Sequence, residues 1–206
     1  MSPAAAADSP GASGPVAALA YVALGANLGD PLATIAAAIA ELDKPPASRL
    51  LATSSLYRTA PVGLKNQPDF INAVAALETR LTPHALLEAL FAIEARFGRS
   101  RGMPNAPRTL DLDLLLYDET TLNEARLTLP HPRMHERAFV LVPLLEIAPA
   151  CLIPGLGAAR ALLDGCSGQR IERLARGAEA IQTCRFADRI VYPSGLLHPA
   201  PKRSPR

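Results

Sequence analysis

Residues 107–117 read PRTLDLDLLLY, and apolar and acidic residues alternate through the middle of that stretch. Alternation with a period of two is the mark of a strand with two unlike faces. It puts Leu110, Leu112, Leu114 and Leu116 on one face and Asp111 and Asp113 on the other. In a helix, residues two apart are turned by roughly 200°, so the two carboxylates would point away from each other. As a strand they stand side by side, about 6–7 Å apart at the backbone. Paired carboxylates on a half-buried strand repel unless a positive charge lies between them. A hard divalent cation answers that repulsion, and Mg²⁺ typically takes one or two carboxylates together with substrate phosphates. The alternative is a solvated edge carrying two acids, and the neighbours decide between them.

The basic residues are unevenly placed. None precedes Lys44, whereas Arg96, Arg99, Arg101 and Arg108 cluster just before the acidic strand. Residues 98–108 (GRSRGMPNAPR) hold two glycines, two prolines and three arginines, which predicts a mobile basic loop. Guanidinium forks pair bidentately with phosphate oxygens; a solvated loop is the plainer reading. A third group lies upstream. Residues 69–79 (DFINAVAALET) alternate as a strand, with Phe70 and Asn72 on one face, and a loop around Thr59–Gly63 precedes it. An aromatic ring beside a carboxamide can stack a flat heterocycle and bond its edge, although the same pair also suits a core ring and a strand-edge amide. Carboxylate-held metal, arginine loop and phosphates are the parts of phosphoryl transfer, which needs no side-chain nucleophile. Residues 130–137 (PHPRMHER) add two histidines and two arginines. Zinc is disfavoured there: His131 and His135 have no cysteine partners, and Pro132 interrupts a shared helical face.

With 206 residues the chain suits one domain with tails, and 49% hydrophobic content supplies a core. A net charge of +2 is too small for a general nucleic-acid or membrane-surface binder. Three cysteines without C-x-x-C spacing fit reduced thiols in a cytoplasmic protein. No apolar run is long enough to span a membrane. Residues 1–16 read as a disordered leader. A strand is predicted over 17–24, ending at Gly25, then a helix capped by Asp30-Pro31 and stopped by Pro45-Pro46. Further strands are predicted over 50–57 and 69–79, and a helix from Thr82-Pro83 to Gly98. After the acidic strand come a short strand at 127–129, a helix over 133–147 with Pro143 inside it, and partial helix over 158–176. Residues 189–192 are a possible stray strand in a mostly irregular tail, 179–206. The order strand–helix–strand–strand–helix–strand predicts an α+β fold of ferredoxin-like, split βαβ (βαββαβ) type, with helices on one face of the sheet.

Five ordered stretches carry a resemblance: YVALGANLGDP (21–31), SSLYRTAPVG (54–63), QPDFINAVAALET (67–79), APRTLDLDLLLY (106–117) and LTLPHPRMHERAFVLVPLLEIAP (127–149). Together they resemble the 6-hydroxymethyl-7,8-dihydropterin pyrophosphokinase family of folate biosynthesis. The resemblance implies a pyrophosphokinase domain over 17–178. It also implies a reaction in which the hydroxymethyl oxygen of the pterin attacks the β-phosphorus of ATP and AMP leaves. It implies two Mg²⁺ ions held by Asp111 and Asp113, with Arg99 and Arg108 as catalytic arginines. ATP would be met by Glu94, Arg101, Leu114, Thr128, His131 and Arg137. The pterin would lie near Thr59, Pro61 and Val62, stack on Phe70 and Phe139, and bond Asn72. The expected partners are these two small molecules, with no nucleic acid and no membrane, and the expected state is a monomer. Some members carry a tryptophan in the mobile loop; this chain has none, and Asn105 stands near that place.

Two rivals stay open at this level. A split βαβ domain can be an RNA-binding module, which would need a basic sheet face with several aromatics; aromatic content here is 4%. The chain could also be a Mg-dependent nucleotidyl transferase with a different acceptor.

Overall fold

The computed structural model describes residues 17–44, 48–61, 66–99 and 107–174. The expected leader, the tail beyond 174 with its stray strand, and Val62, Arg101 and Asn105 lie outside the described residues.

Strand β1 (Ala18–Ala26) leads into helix α1 (Pro31–Leu42). Asp30 caps that helix through its side chain, which accepts from Ala33 N at 3.0 Å, and Pro31 fills the first position, where no N–H is needed. Strands β2 (Ser48–Thr53), β3 (Tyr57–Thr59) and β4 (Phe70–Thr79) follow. Helix α2 (Pro83–Arg96) repeats the capping device at Thr82. Strand β5 (Asp111–Tyr117) is the acidic strand. A small ribbon of β6 (Leu122–Asn123) and β7 (Thr128–Leu129) precedes helix α3 (Ala138–Ile147). A second ribbon, β8 (Leu152–Ile153) and β9 (Gly157–Ala158), leads to the short helix α4 (Ala159–Leu163) and to β10 (Ile171–Arg173).

The main sheet runs β10-β3-β4-β1-β5, with β2 also on β4, and every pairing is antiparallel. Strands β1 and β2 flank β4 and run the same way, which is the split βαβ arrangement. The chain is therefore α+β and ferredoxin-like, as the element order implied.

Several local expectations need correction. Helices cover both faces, not one. Helices α1 and α2 bury Val22, Leu24, Ala73, Leu77, Leu112 and Leu114 on one side. Helix α3 covers part of the other, with Tyr21, Val74, Ala76 and Leu115. Six of the ten α3 residues are buried, because that helix lies between the sheet and α4. The strand expected over 50–57 is two strands. Ser54 breaks the run: its N–H donates to Val74 O at 2.9 Å and its hydroxyl accepts from Val74 N at 3.0 Å.

Gly25 does not end the first strand but lies within it, paired with Asn72 on one side and Asp111 on the other. Leu116 does not share the face of Leu110, Leu112 and Leu114. The β1–β5 register slips beside Tyr21 and Val22, so Leu115 and Leu116 both join the α3-side core. A bulge of this kind turns every residue beyond it to the opposite face. The helix expected over 133–147 is a single 3₁₀ turn at Met134–Glu136, then extended Arg137, then α3. The region expected as partial helix over 158–176 yields α4, one 3₁₀ turn at Asp164–Cys166 and the edge strand β10.

Candidate active site

Alternation does place the two carboxylates together. Asp111 and Asp113 face the α3 side of β5, and α3 stops short of them. The uncovered half of that sheet face is the floor of a cavity of about 530 Å³. Its walls include Thr59, Phe70, Asn72, Arg99, Arg108, Asp111, Asp113, His131, Arg137 and Phe139, all expected from the sequence. Pro61 lines an adjoining pocket of about 170 Å³. Leu114, Thr128, Asp113 and His131 line a third, of about 240 Å³, with Leu87 and Phe91. Asp113 and His131 thus belong to both the first and the third cavities, while Asp111 lines the first alone.

One row crosses three strands: Asn72 on β4, Gly25 on β1 and Asp111 on β5. Gly25 keeps this row open, since a Cβ there would lie 3.3 Å from Asn72 Oδ1 and 3.9 Å from Asp111 Cβ. Asn72 is buried, and its amide donates to Thr59 Oγ1 at 2.8 Å, which fixes the carboxamide's orientation.

Arg99 and Arg108 both reach Asp111. The base of the arginine loop is tied down by buried Asn27. Its Oδ1 accepts from Arg108 N at 2.8 Å, and its Nδ2 donates to Gln67 Oε1 and Pro68 O. Arg108 O in turn accepts from Asn27 N and Leu28 N. Glu94 occupies a different place from the cavity walls. It is 3% exposed beneath Arg99, bonds that guanidinium, and accepts from Leu112 N at 2.7 Å. Glu94 therefore couples α2 to β5 and holds Arg99 over Asp111.

Two repelling carboxylates, Asp111 and Asp113, stand here among four arginines, Arg99, Arg108, Arg133 and Arg137. Burial pushes the Asp113 carboxyl above the ordinary carboxylate range, and repulsion from Asp111 adds to it, against the pull of His131, Arg137 and Arg108. His131 Nε2 and Arg137 Nη1 approach Asp113 Oδ2 at 3.9 and 3.8 Å. Burial holds the His131 imidazole below its usual value, so the neutral ring is favoured. Asp111 Oδ1 is buried without a hydrogen-bond donor: Arg99 Nη1 lies 2.7 Å away, but its N–H is not aligned to bond it.

Two carboxylates on one strand face, with Asp111 Oδ1 held by an ion pair but no hydrogen bond, fit a divalent cation. Among the described residues no three His, Cys, Asp or Glu side chains converge as a ligand set. Substrate oxygens would have to complete the coordination shell. The zinc alternative at His131 and His135 gains no support: His131 turns to Asp113, and His135 Nε2 lies 3.8 Å from Glu136. The sheet face that an RNA module would need basic carries two carboxylates, Asp111 and Asp113.

Sequence reasoning missed Gly25, Gln67, Arg133, Glu136 and Gln169 on the main cavity wall. A glycine next to an apolar run was a usable signal for close approach. Gln169 gave none.

A family model described as 7,8-dihydro-6-hydroxymethylpterin-pyrophosphokinase (HPPK) matches residues 21–149. A 2-amino-4-hydroxy-6-hydroxymethyldihydropteridine pyrophosphokinase of Pseudomonas aeruginosa is 48% identical over 154 residues, 75% of this chain and 95% of that one. The protein of that name in Methylorubrum extorquens is 46% identical over 155 residues, 74% and 98% of the two chains. Among solved structures, wild-type Plasmodium falciparum HPPK-DHPS superposes with a TM-score of 0.57 at 15% identity, over 72% of this chain and 44% of that one. This chain spans less than half of that protein, and the likeness speaks for the fold alone.

Proposed function

The chain belongs to the 7,8-dihydro-6-hydroxymethylpterin-pyrophosphokinase family, and from that premise we propose that it transfers the pyrophosphoryl group of ATP to 6-hydroxymethyl-7,8-dihydropterin, releasing AMP, in folate biosynthesis. One observation carries the reading: paired Asp111 and Asp113 share a cavity with a carboxamide and two phenyl rings, Asn72, Phe70 and Phe139. That juxtaposition suits a metal-bound triphosphate lying next to a flat heterocycle.

In this reading the pterin enters between Phe70 and Phe139. Its polar edge meets Asn72, whose orientation Thr59 has already fixed, so little ordering is needed on binding. Thr59 and Pro61 form the rim, and Val62 is assigned to the pterin by family resemblance alone. The adenine side of ATP takes the pocket of Leu114 and Thr128, and the triphosphate crosses the junction where Asp113, His131 and Arg137 meet. Asp111 and Asp113 would hold two Mg²⁺ ions, which when bound neutralise the triphosphate and draw charge from its bridging oxygens. The hydroxymethyl oxygen loses its proton to water and forms a bond to the β-phosphorus while the bond from that phosphorus to the α–β bridging oxygen breaks, and AMP leaves with the bridging oxygen. Arg99 and Arg108 stabilise charge developing on that oxygen. Once nucleotide arrives, they can exchange Asp111 for phosphate. Glu94 keeps Arg99 aimed during that exchange. Arg101 adds a further phosphate contact. The enzyme acts as a monomer and in the cytoplasm; two buried free thiols, Cys151 and Cys166, support the compartment.

The direct test supplies ATP, Mg²⁺ and hydroxymethyldihydropterin and identifies the nucleotide product. AMP, formed only when the pterin is present, supports the reading. ADP, or equal turnover with unrelated heterocyclic alcohols, overturns it.

A further inference from the structure

Residues 164–174 lie beyond the stretch matched by the family model, yet they touch both walls of the cavity. On one side β10 pairs with β3, placing Ile171 opposite Thr59, the residue that orients Asn72. On the other side the segment runs along the backbone leading into α3. Cys166 Sγ lies 3.7 Å from His135 O. Gln169 Nε2 donates to Glu136 O at 2.6 Å, and Gln169 Oε1 accepts from Ala138 N at 2.9 Å.

These two bonds bracket Arg137, and Arg137 needs them. The 3₁₀ turn ends at Glu136 and α3 begins at Ala138, so Arg137 is a one-residue extended joint, with φ −123° and ψ 107°. A helix start leaves N–H groups without intrahelical partners. Arg137 occupies the capping position and makes no side-chain cap. Gln169 provides an acceptor from 31 residues away. The joint matters because of what it carries. The Arg137 guanidinium lies 3.8 Å from Asp113 and 5.5 Å from the centre of the Phe139 ring.

We propose that Gln169 is a positioning residue of the active site: its single carboxamide clamps Glu136 and Ala138, and so holds Arg137 toward the triphosphate and Phe139 toward the pterin. The proposal rests on the pterin and ATP reading above. Without the clamp the joint rotates more freely, and both side chains must be ordered again at each binding event.

The test compares three variants by AMP formation, by calorimetric binding of the pterin, and by thermal melting. Gln169→Met keeps the size and removes both bonds. Gln169→Glu keeps the acceptor for Ala138 N–H and loses the donor to Glu136 O. Leu162→Ala, on α4, thins the core beneath α3 and touches no cavity wall, so it reports the kinetics of plain destabilisation. Gln169→Met is expected to raise the KM and Kd for pterin about tenfold. Gln169→Glu should recover part of that loss, and Leu162→Ala should lower Tm at unchanged KM. The proposal is overturned if Gln169→Met binds pterin as the wild type does. Should Gln169→Met fail to fold, Gln169→Glu decides: raised KM at wild-type Tm upholds the clamp, and unchanged KM sinks it. A wild type that forms no AMP sinks the functional reading and this proposal together. An active wild type with an unaffected Gln169→Met sinks the proposal alone.

Discussion

On the α1/α2 side of the sheet, Val22, Leu24, Ala73, Leu77, Leu112 and Leu114 are buried under two amphipathic helices. On the α3 side, the same strands present Tyr21, Val74 and Leu115 to a helix at one end and Asn72, Asp111 and Asp113 to a cavity at the other. Each leucine sealed on the first face stabilises the fold by roughly 1.5–3 kcal/mol. On the second, burial of the Asp113 carboxylate costs desolvation and raises its pKa, with repulsion from Asp111 adding to it. A strand of period two lets one chain do both, because neighbouring residues serve opposite faces. What separates stability from chemistry here is parity along β4 and β5 rather than distance along the chain.

The contrast is broken most severely from the acidic face. Asp111→Ala or Asp113→Ala is predicted to cut kcat by about 10³-fold or more, near 4 kcal/mol of transition-state stabilisation, with Tm little changed. Steady-state AMP assays alongside melting curves check it. A variant with near-normal turnover would remove these residues from the mechanism. The opposite face should respond in the opposite way. Leu90→Ala, fully buried on α2, is predicted to cost about 3 kcal/mol of stability. Its folded fraction should turn over normally, and urea unfolding with activity per folded molecule measures both.

How much of this was legible follows from the same parity. The carboxylate pair, the Phe70/Asn72 face and both helix caps were readable because each is written within a few consecutive residues. Leu116 was misplaced because the slip beside Tyr21 and Val22 belongs to a pairing between distant strands. Strand β10 was missed for a related reason. Three residues carry no periodicity, and its partner Tyr57–Thr59 lies more than a hundred residues earlier. Glu94 was read by resemblance as an ATP contact. Its geometry under Arg99 and Leu112 N emerges only when α2 is docked on β5. Gly25 was read as the end of a strand because its two neighbours in the row come from other strands.

Two smaller effects sharpen the division. Arg99→Ala and Arg108→Ala are predicted to lower kcat about 10²-fold while changing either substrate's Kd much less, since their contacts strengthen during transfer. Calorimetry set against kinetics separates the two, and a pure binding defect would contradict the role. The mildest effect lies on the structural seam between β3 and α3. There Glu146 accepts from Ser55 N, Ser55 Oγ and Tyr57 Oη, and pairs with Arg173 at 2.6 Å. Burial alone would raise the Glu146 carboxyl, but those hydrogen bonds and the Arg173 charge outweigh it and hold it below its ordinary 4.5. A carboxyl lowered in the folded state stabilises above its unfolded pKa, and that contribution is lost as pH falls through the folded value. Wild type should therefore lose stability below about pH 4.5 more steeply than Glu146→Gln, as denaturant midpoints at stepped pH would report.

The central claim is that Asp111 and Asp113 together anchor a magnesium-bound triphosphate beside the ring slot. Calorimetric titration of a non-hydrolysable ATP analogue, with and without Mg²⁺, tests it most directly when wild type is compared with Asp111→Asn and Asp113→Asn. The account predicts tight binding to wild type only with Mg²⁺, and in both variants a weak binding that Mg²⁺ no longer improves. Equal Mg²⁺ enhancement in wild type and variants would contradict it.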